Sequence, residues 1–452
     1  LKTGISGDEG PGVIPGSSEA MEASSMTLSL TRTGRRGNRI GKTVLLATAI
    51  VLVATAWLLS GNPLPPAGPI GPTMKTLNEI EPRGCIASLP AYLNEEGSYC
   101  VSANLTAKAG SRDAIVIGAS NVTLDLGGFT LSGLVDGRPV PGLSAIRVVD
   151  GVGCITIRNG NISRWGGAGV AASGASELKI EGLCVTFNAG GGVLTGENSI
   201  VSNCIARSNG AGGIAAGAGS IFTSCVAAKN AGSGLSGGEG SLVKDCVSRS
   251  NAENGITVLG GGNVTDCTAG KNAKIGIGAG AGATVETCSS SENGLAGVFA
   301  ENGCTIRGNS VSANTKDGLR VASVCNVVEN TCTNNGRGGA AGGPGSGAGI
   351  LLAGDRNHVE RNLATGNAMG IELSPSLNVV VANSAGLNSV RNYPINAVDW
   401  YADYVDLSID ELGKYPFLAA ITRETERLIV IGGDSLGFAY IPHVNMELEP
   451  WN

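Results

Sequence analysis

A 21-residue period runs through the middle of this chain, and it limits the possible fold more than any other feature. Asn209, Asn230, Asn251, Asn272, Asn293, Asn314 and Asn335 lie 21 residues apart; Asn367 follows after 32 and Asn388 after a further 21. A second column lies five residues earlier: Cys184, Cys204, Cys225, Cys246, Cys267 and Cys288, continued by Asn309, Asn330, Asn362 and Asn383. A third is Gly followed by an aliphatic residue, from Gly192-Val193 through Gly213-Ile214 and Gly255-Ile256 to Gly370-Ile371. A fourth is apolar, from Val201 and Phe222 to Val359 and Val380. Each unit holds short β-favouring patches split by Gly, Asn or Ser, and none is long enough for a helix. A leucine-rich repeat shares the length but needs a leucine ladder, which is absent. One turn of a parallel β-solenoid remains. Its turns stack about 4.8 Å apart, so equivalent residues sit directly above one another. Asn suits a turn position with positive φ and can hydrogen-bond its copies on neighbouring coils, and Gly admits tight corners.

Composition agrees with a narrow, stacked interior. Gly contributes 72 of 452 residues and aromatics only 4%, yet 42% of the chain is hydrophobic, too much for disorder. The expected architecture is all-β: a right-handed parallel β-helix, a single-stranded solenoid of about 12 coils with terminal caps and an N-terminal signal or anchor helix. Residues 1–42 read as a disordered basic leader, 43–60 as a signal core or membrane anchor, and 61–84 as a Pro-rich linker. Residues 85–120 read as an N-terminal cap, 121–396 as the coils, and 397–452 as an aromatic-rich C-terminal cap. Thr43–Ser60 is uncharged and follows Arg35, Arg36, Arg39 and Lys42, the pattern of an export signal or anchor. Ala54-Thr55-Ala56 offers a cleavage site, Met26 an alternative start, and Arg35-Arg36 only a trace of a twin-arginine signal. The expected location is extracellular or in the cell envelope, with membrane contact through 43–60 if that segment is retained.

The run Asn121-Val122-Thr123-Leu124-Asp125-Leu126-Gly127-Gly128-Phe129-Thr130-Leu131-Ser132-Gly133 opens the coils. With Leu89-Pro90, Gly97-Ser98-Tyr99 and Asn104-Leu105-Thr106, it resembles exported right-handed parallel β-helix repeat proteins of the pectin-lyase-like superfamily, over roughly 85–396. The resemblance implies the fold. It leaves activity open, because the superfamily mixes lyases, hydrolases, epimerases and non-catalytic surface proteins.

Charge and side-chain chemistry narrow the function. The net charge is −6, and beyond the leader 25 Lys and Arg face 33 Asp and Glu, which disfavours nucleic acid as a partner. Two histidines, His358 and His443, are too few and too distant for clustered-histidine chemistry. The stacked cysteines read as a buried ladder of small residues, because thiols in a line cannot enclose a tetrahedral metal. Cys85 and Cys100 are the disulfide candidates, and Cys304 and Cys325 share another column.

Catalysis on an acidic glycan would need facing carboxylates, or a base with Ca²⁺. The position after the Gly-aliphatic pair reads Leu194, Ala215, Ser236, Thr257, Gly278, Phe299, Arg320, Leu351 and Glu372, without a carboxylate pair. Arg320 and Glu372 are expected to form a surface ion pair. Asp245 and Asp266 stack as a weak Ca²⁺ candidate; no other cofactor is implied.

Arg207, Lys229, Arg249 and Lys271 form a basic stripe which, with Arg320 and with Arg337 in the Gly-rich insertion 336–347, could meet an acidic glycan. Gly433-Asp434-Ser435-Leu436-Gly437 matches a nucleophile-elbow pattern, but too little chain follows for a triad, and His443 is only eight residues on. The expected function is therefore a non-catalytic surface protein, structural or glycan-binding. A polysaccharide lyase or glycoside hydrolase is the alternative.

Overall fold

The computed structural model describes residues 83–392, apart from 109–111, 136, 140, 337–346 and 374–377, together with the strands Leu418–Thr422 and Arg427–Ile431. Residues 83–392 form a parallel β-solenoid with two sheets, one of 25 strands and one of 13. The smaller sheet receives one strand per coil, so the chain makes about 13 turns. The count exceeds the expected 12 because 85–120, taken as a cap, already supplies strands to both sheets: Gly84–Ile86 and Gly97–Val101 to the larger, Ala91–Leu93 and Ile115–Ile117 to the smaller.

A regular coil runs through three short strands. Ile214–Ala216 lies in the smaller sheet, then Ile221–Thr223 and Val226–Ala228 lie in the two arms of the larger one. Register is strict: Val201 pairs with Phe222, Phe222 with Val243 and Val243 with Val264, so the apolar column stacks along the core. Each such side chain is fully buried, worth roughly 1.5–3 kcal/mol relative to exposure.

The Asn column is the polar spine of this core. Asn230 illustrates the arrangement. Its Oδ1 accepts from the backbone N–H of Asn209 (3.0 Å) and from Asn209 Nδ2 (3.1 Å). Its Nδ2 donates to the Ala206 carbonyl (3.0 Å) and to Asn251 Oδ1 (3.1 Å). All four hydrogen-bonding positions of the amide are used, which removes the cost of burying it. The ladder begins one coil earlier than the period suggested, at Asn188, which accepts from the Trp165 backbone N–H. It ends where Asn388 bonds Asn392.

Three expectations are corrected. The ladder asparagines do not themselves take positive φ; the residue before each does, as in Ser208, Lys229, Ser250 and Lys271. The left-handed residue turns the chain so that the next side chain points inward. Secondly, the repeated glycines before the aliphatic column are not left-handed corners. A Cβ on Gly255 would lie 2.5 Å from Asn272 Nδ2 and 2.5 Å from the Gly276 carbonyl oxygen, so glycine is needed because the ladder passes so close.

Thirdly, Cys184 does not belong to the thiol column. It pairs with Ile205 on the outer face, while Leu183, fully buried, holds the place above Cys204. The spacing from Cys184 to Cys204 is 20 rather than 21, and one residue of slip turns a side chain to the opposite face.

Cys85 and Cys100 form a disulfide between the first two strands of the larger sheet, where they are register partners. Cys304 and Cys325 are free, buried thiols. Beside the disulfide, Asp125 joins the first coils, lying 3.0 Å from Arg158 and 3.5 Å from Arg83. Burial raises its pKa, but the Gly127 N–H and the Arg158 and Asn159 side chains outweigh this and hold it below the ordinary value.

The leader and the segment 43–60 lie outside the described residues, as do Arg337, Ser435 and His443. No helix of the described residues is long and apolar enough to cross a membrane. Within the expected C-terminal cap, the described part is an antiparallel hairpin pairing Leu418 with Ile431 and Thr422 with Arg427.

Candidate functional site

Each regular coil turns a corner after the second arm of the larger sheet, and the residues there follow one pattern. A left-handed residue projects outward, the ladder Asn points inward, and a small residue follows. The outward position reads Phe187, Ser208, Lys229, Ser250, Lys271 and Glu292, all with φ between 55° and 58°. The small position reads Ala189, Gly210, Ala231, Ala252 and Ala273.

Prominent side chains beside a strip of minimal ones leave an open groove of about 640 Å³ along four to five coils, lined by residues of all three positions between Phe187 and Ala273, though not by Ala189 or Asn272. The ladder holds its floor, since every Asn there is bonded to the next coil. The lining contains Lys229 and Lys271 and no carboxylate. Phe187 is 54% exposed, an aromatic face presented to water in a chain that has few aromatics.

The four-residue basic stripe therefore divides in two. Lys229 and Lys271 stand at the groove. Arg207 and Arg249 are one residue earlier, on the outer face of the second arm, with Ala228 between them in register. Lys271 lies 3.5 Å from Glu292, both about half exposed; such a surface pair contributes roughly 0–1 kcal/mol and exchanges readily for another anion.

Arg320 is elsewhere, on the outer face of the smaller sheet, and its partner is Asp317 at 3.7 Å rather than Glu372. Glu372 is buried, which corrects the expected surface pair. It stands two coils from Arg320 in one column, with Leu351 between them. Asp317 is also buried and accepts from the backbone N–H groups of Gly347 (3.2 Å) and Ala348 (3.1 Å), fastening the end of the insertion. Burial pushes its carboxyl above the ordinary value, against those two N–H groups and Arg320.

Asp245 and Asp266 occupy the left-handed position of the other corner, before Cys246 and Cys267, and Asp266 accepts from Thr287 Oγ1 at 2.7 Å. Among the described residues, no three His, Cys, Asp or Glu side chains gather as a metal site.

Sequence reasoning found the lysines but missed Phe187, Ser208 and Ser250. The signal was available: all three are in 21-residue register with Lys229 and Lys271. Charge alone does not show it, because Phe187, Ser208 and Ser250 carry none.

The right-handed β-helix region family model matches residues 144–289 and 275–389. Among solved structures, the A-module of Azotobacter vinelandii mannuronan C-5 epimerase AlgE6 is 18% identical with a TM-score of 0.47, covering 69% of this chain and 91% of that one. The AlgE4 A-module from the same organism is 15% identical with a TM-score of 0.46 and the same coverages. The catalytic domain of a GH87 alpha-1,3-glucanase is 11% identical with a TM-score of 0.38, covering 70% of this chain and 64% of that one. These likenesses concern the fold alone. No curated protein matches the sequence.

Proposed function

We propose that this chain, which belongs to the right-handed β-helix family, is an exported protein that holds an acidic polysaccharide along its corner groove. The observation that carries the reading is the groove itself: long, shallow, open at its top, and lined by Lys229, Lys271 and the exposed face of Phe187 without a carboxylate. A linear glycan needs such a surface. Ammonium groups meet its carboxylates, hydroxyls meet its ring oxygens and hydroxyls, and an aromatic face packs against its C–H surface. The Cys85–Cys100 disulfide supports export, since such bonds persist in oxidising compartments.

A second reading, a polysaccharide lyase or glycoside hydrolase, is favoured by one observation. Burial raises the Asp317 carboxyl above its ordinary value, the direction a general acid needs, and that carboxyl lies 3.7 Å from Arg320, whose strand belongs to the sheet that also carries Glu372.

One experiment separates the two. The full chain is titrated calorimetrically with acidic and neutral oligosaccharides while new reducing ends and unsaturated uronates are followed. Saturable, salt-sensitive binding that Lys229→Ala and Lys271→Ala together reduce at least tenfold, without cleavage, supports the groove. Cleavage abolished by Asp317→Asn or Glu372→Gln replaces that reading with the second.

A further inference from the structure

The two groove lysines are not on adjacent coils. The column reads Phe187, Ser208, Lys229, Ser250, Lys271, Glu292, so cation and hydroxyl alternate. Lys229 and Lys271 are separated by two coil rises, roughly 10 Å along the axis, with Ser250 level with the midpoint. Every site in the column has the same left-handed backbone, and Ser and Lys both occupy it, so the alternation is not a requirement of the turn.

An extended chain of 1,4-linked pyranoses advances by close to one coil per sugar. Lying along the groove, it would meet ammonium, hydroxyl and ammonium on successive sugars. The groove's ends also differ. Phe187 lies about 19 Å from Lys271, four coils away, and offers a ring face to a sugar. Glu292, one coil beyond Lys271, repels a further carboxylate.

Resting on the groove as the glycan site, we infer that its ligand is a linear glycan with an alternating acidic and neutral disaccharide repeat. It lies parallel to the solenoid axis, with carboxylates on Lys229 and Lys271 and the intervening neutral sugar on Ser250. The groove thus reads charge spacing as well as charge.

The test is a swap that keeps net charge and uses only residues the column already carries, Ser250→Lys with Lys271→Ser. It places the two cations one coil apart instead of two. Binding is measured for the full-length wild type and swap with a hexasaccharide alternating glucuronate with N-acetylglucosamine, and a thermal melt shows that the swap is folded. The expected result is wild-type binding that weakens about tenfold in the swap, the loss of one charge-assisted contact. Equal affinity of the two proteins overturns the spacing inference and leaves the groove as a general acidic-glycan site. A wild type that binds neither this hexasaccharide nor the acidic oligosaccharides of the calorimetric titration overturns both.

Discussion

The two corners of each coil face the same physical problem and solve it differently. At both, a left-handed residue turns the next side chain inward, where it must accept the N–H of its counterpart one coil before and donate to a carbonyl of the previous coil. At the groove corner, Asn does this from Asn188 to Asn388 without exception. At the other corner, thiols occupy Cys204 to Cys288 and amides Asn309 to Asn383.

The thiols reproduce the amide pattern closely. The backbone N–H of Cys246 donates to Cys267 Sγ at 3.4 Å, and Cys267 Sγ–H is directed at the carbonyls of Val243 and Thr265. Asn383 donates to the equivalent Val359 and Val381 carbonyls. At the junction, the Cys288 N–H passes directly to Asn309 Oδ1 at 2.9 Å. The requirement is therefore a small group that both donates and accepts. An amide fills it with four short bonds, a thiol with fewer and longer ones.

This contrast can be broken most forcefully at the amide corner. Asn272→Ala leaves the buried N–H of Asn251 and the carbonyl of Ser248 without their partner. It should cost about 4 kcal/mol at about 1–3 per stranded group, read as a lowered urea midpoint.

Cys267→Ala removes weaker bonds from the equivalent place and should cost about 1 kcal/mol. A cost equal to that of Asn272→Ala would mean that the two corners are energetically alike.

Alkaline pH should act on the coils that bury a thiol. Cys267 is pushed up to about 12; its bond with Cys246 lowers it, while its bond with Cys288 and its burial raise it further. A thiol raised in the folded state stabilises fully below the unfolded thiol pKa of about 8.5, and that stabilisation drains away as pH rises towards the folded value. Hydrogen exchange at pH 7 and pH 10, corrected for intrinsic rates, should show protection falling around Cys267 and persisting across 378–392, where no thiol stands. Uniform loss would break the comparison.

The smallest effect is expected for Cys288→Asn, which moves the thiol–amide junction one coil towards the N-terminus. Its new Nδ2 would face Asn309 Oδ1, which already accepts the Cys288 N–H. The change in stability should stay under about 1 kcal/mol, below that of Cys288→Ala.

Much of this was legible beforehand, for particular reasons. Stacked coils force equivalent residues into columns, so the 21-residue period alone exposes the Asn, thiol, glycine and apolar columns. The Cys85–Cys100 disulfide is also legible, as two cysteines 15 residues apart in the expected cap; that they are register partners on the first strands comes from the structure. What escaped was orientation within a coil. Cys184 was placed in the thiol column by identity, although a 20-residue spacing turns it outward. Arg207 and Arg249 were grouped with Lys229 and Lys271 by charge, although one residue separates their positions. Glu372 was placed on the surface because its column is outward in earlier coils, yet it is buried.

By itself, then, the sequence determined the parallel stacking and the register between coils, because a fixed repeat length permits only one alignment of like residues. The tertiary structure alone decided which member of each corner pair takes the left-handed turn, which side chains meet in the groove and which carboxylates are buried. Those outcomes depend on the path of the backbone within a single coil, and a period describes only the relation of one coil to the next.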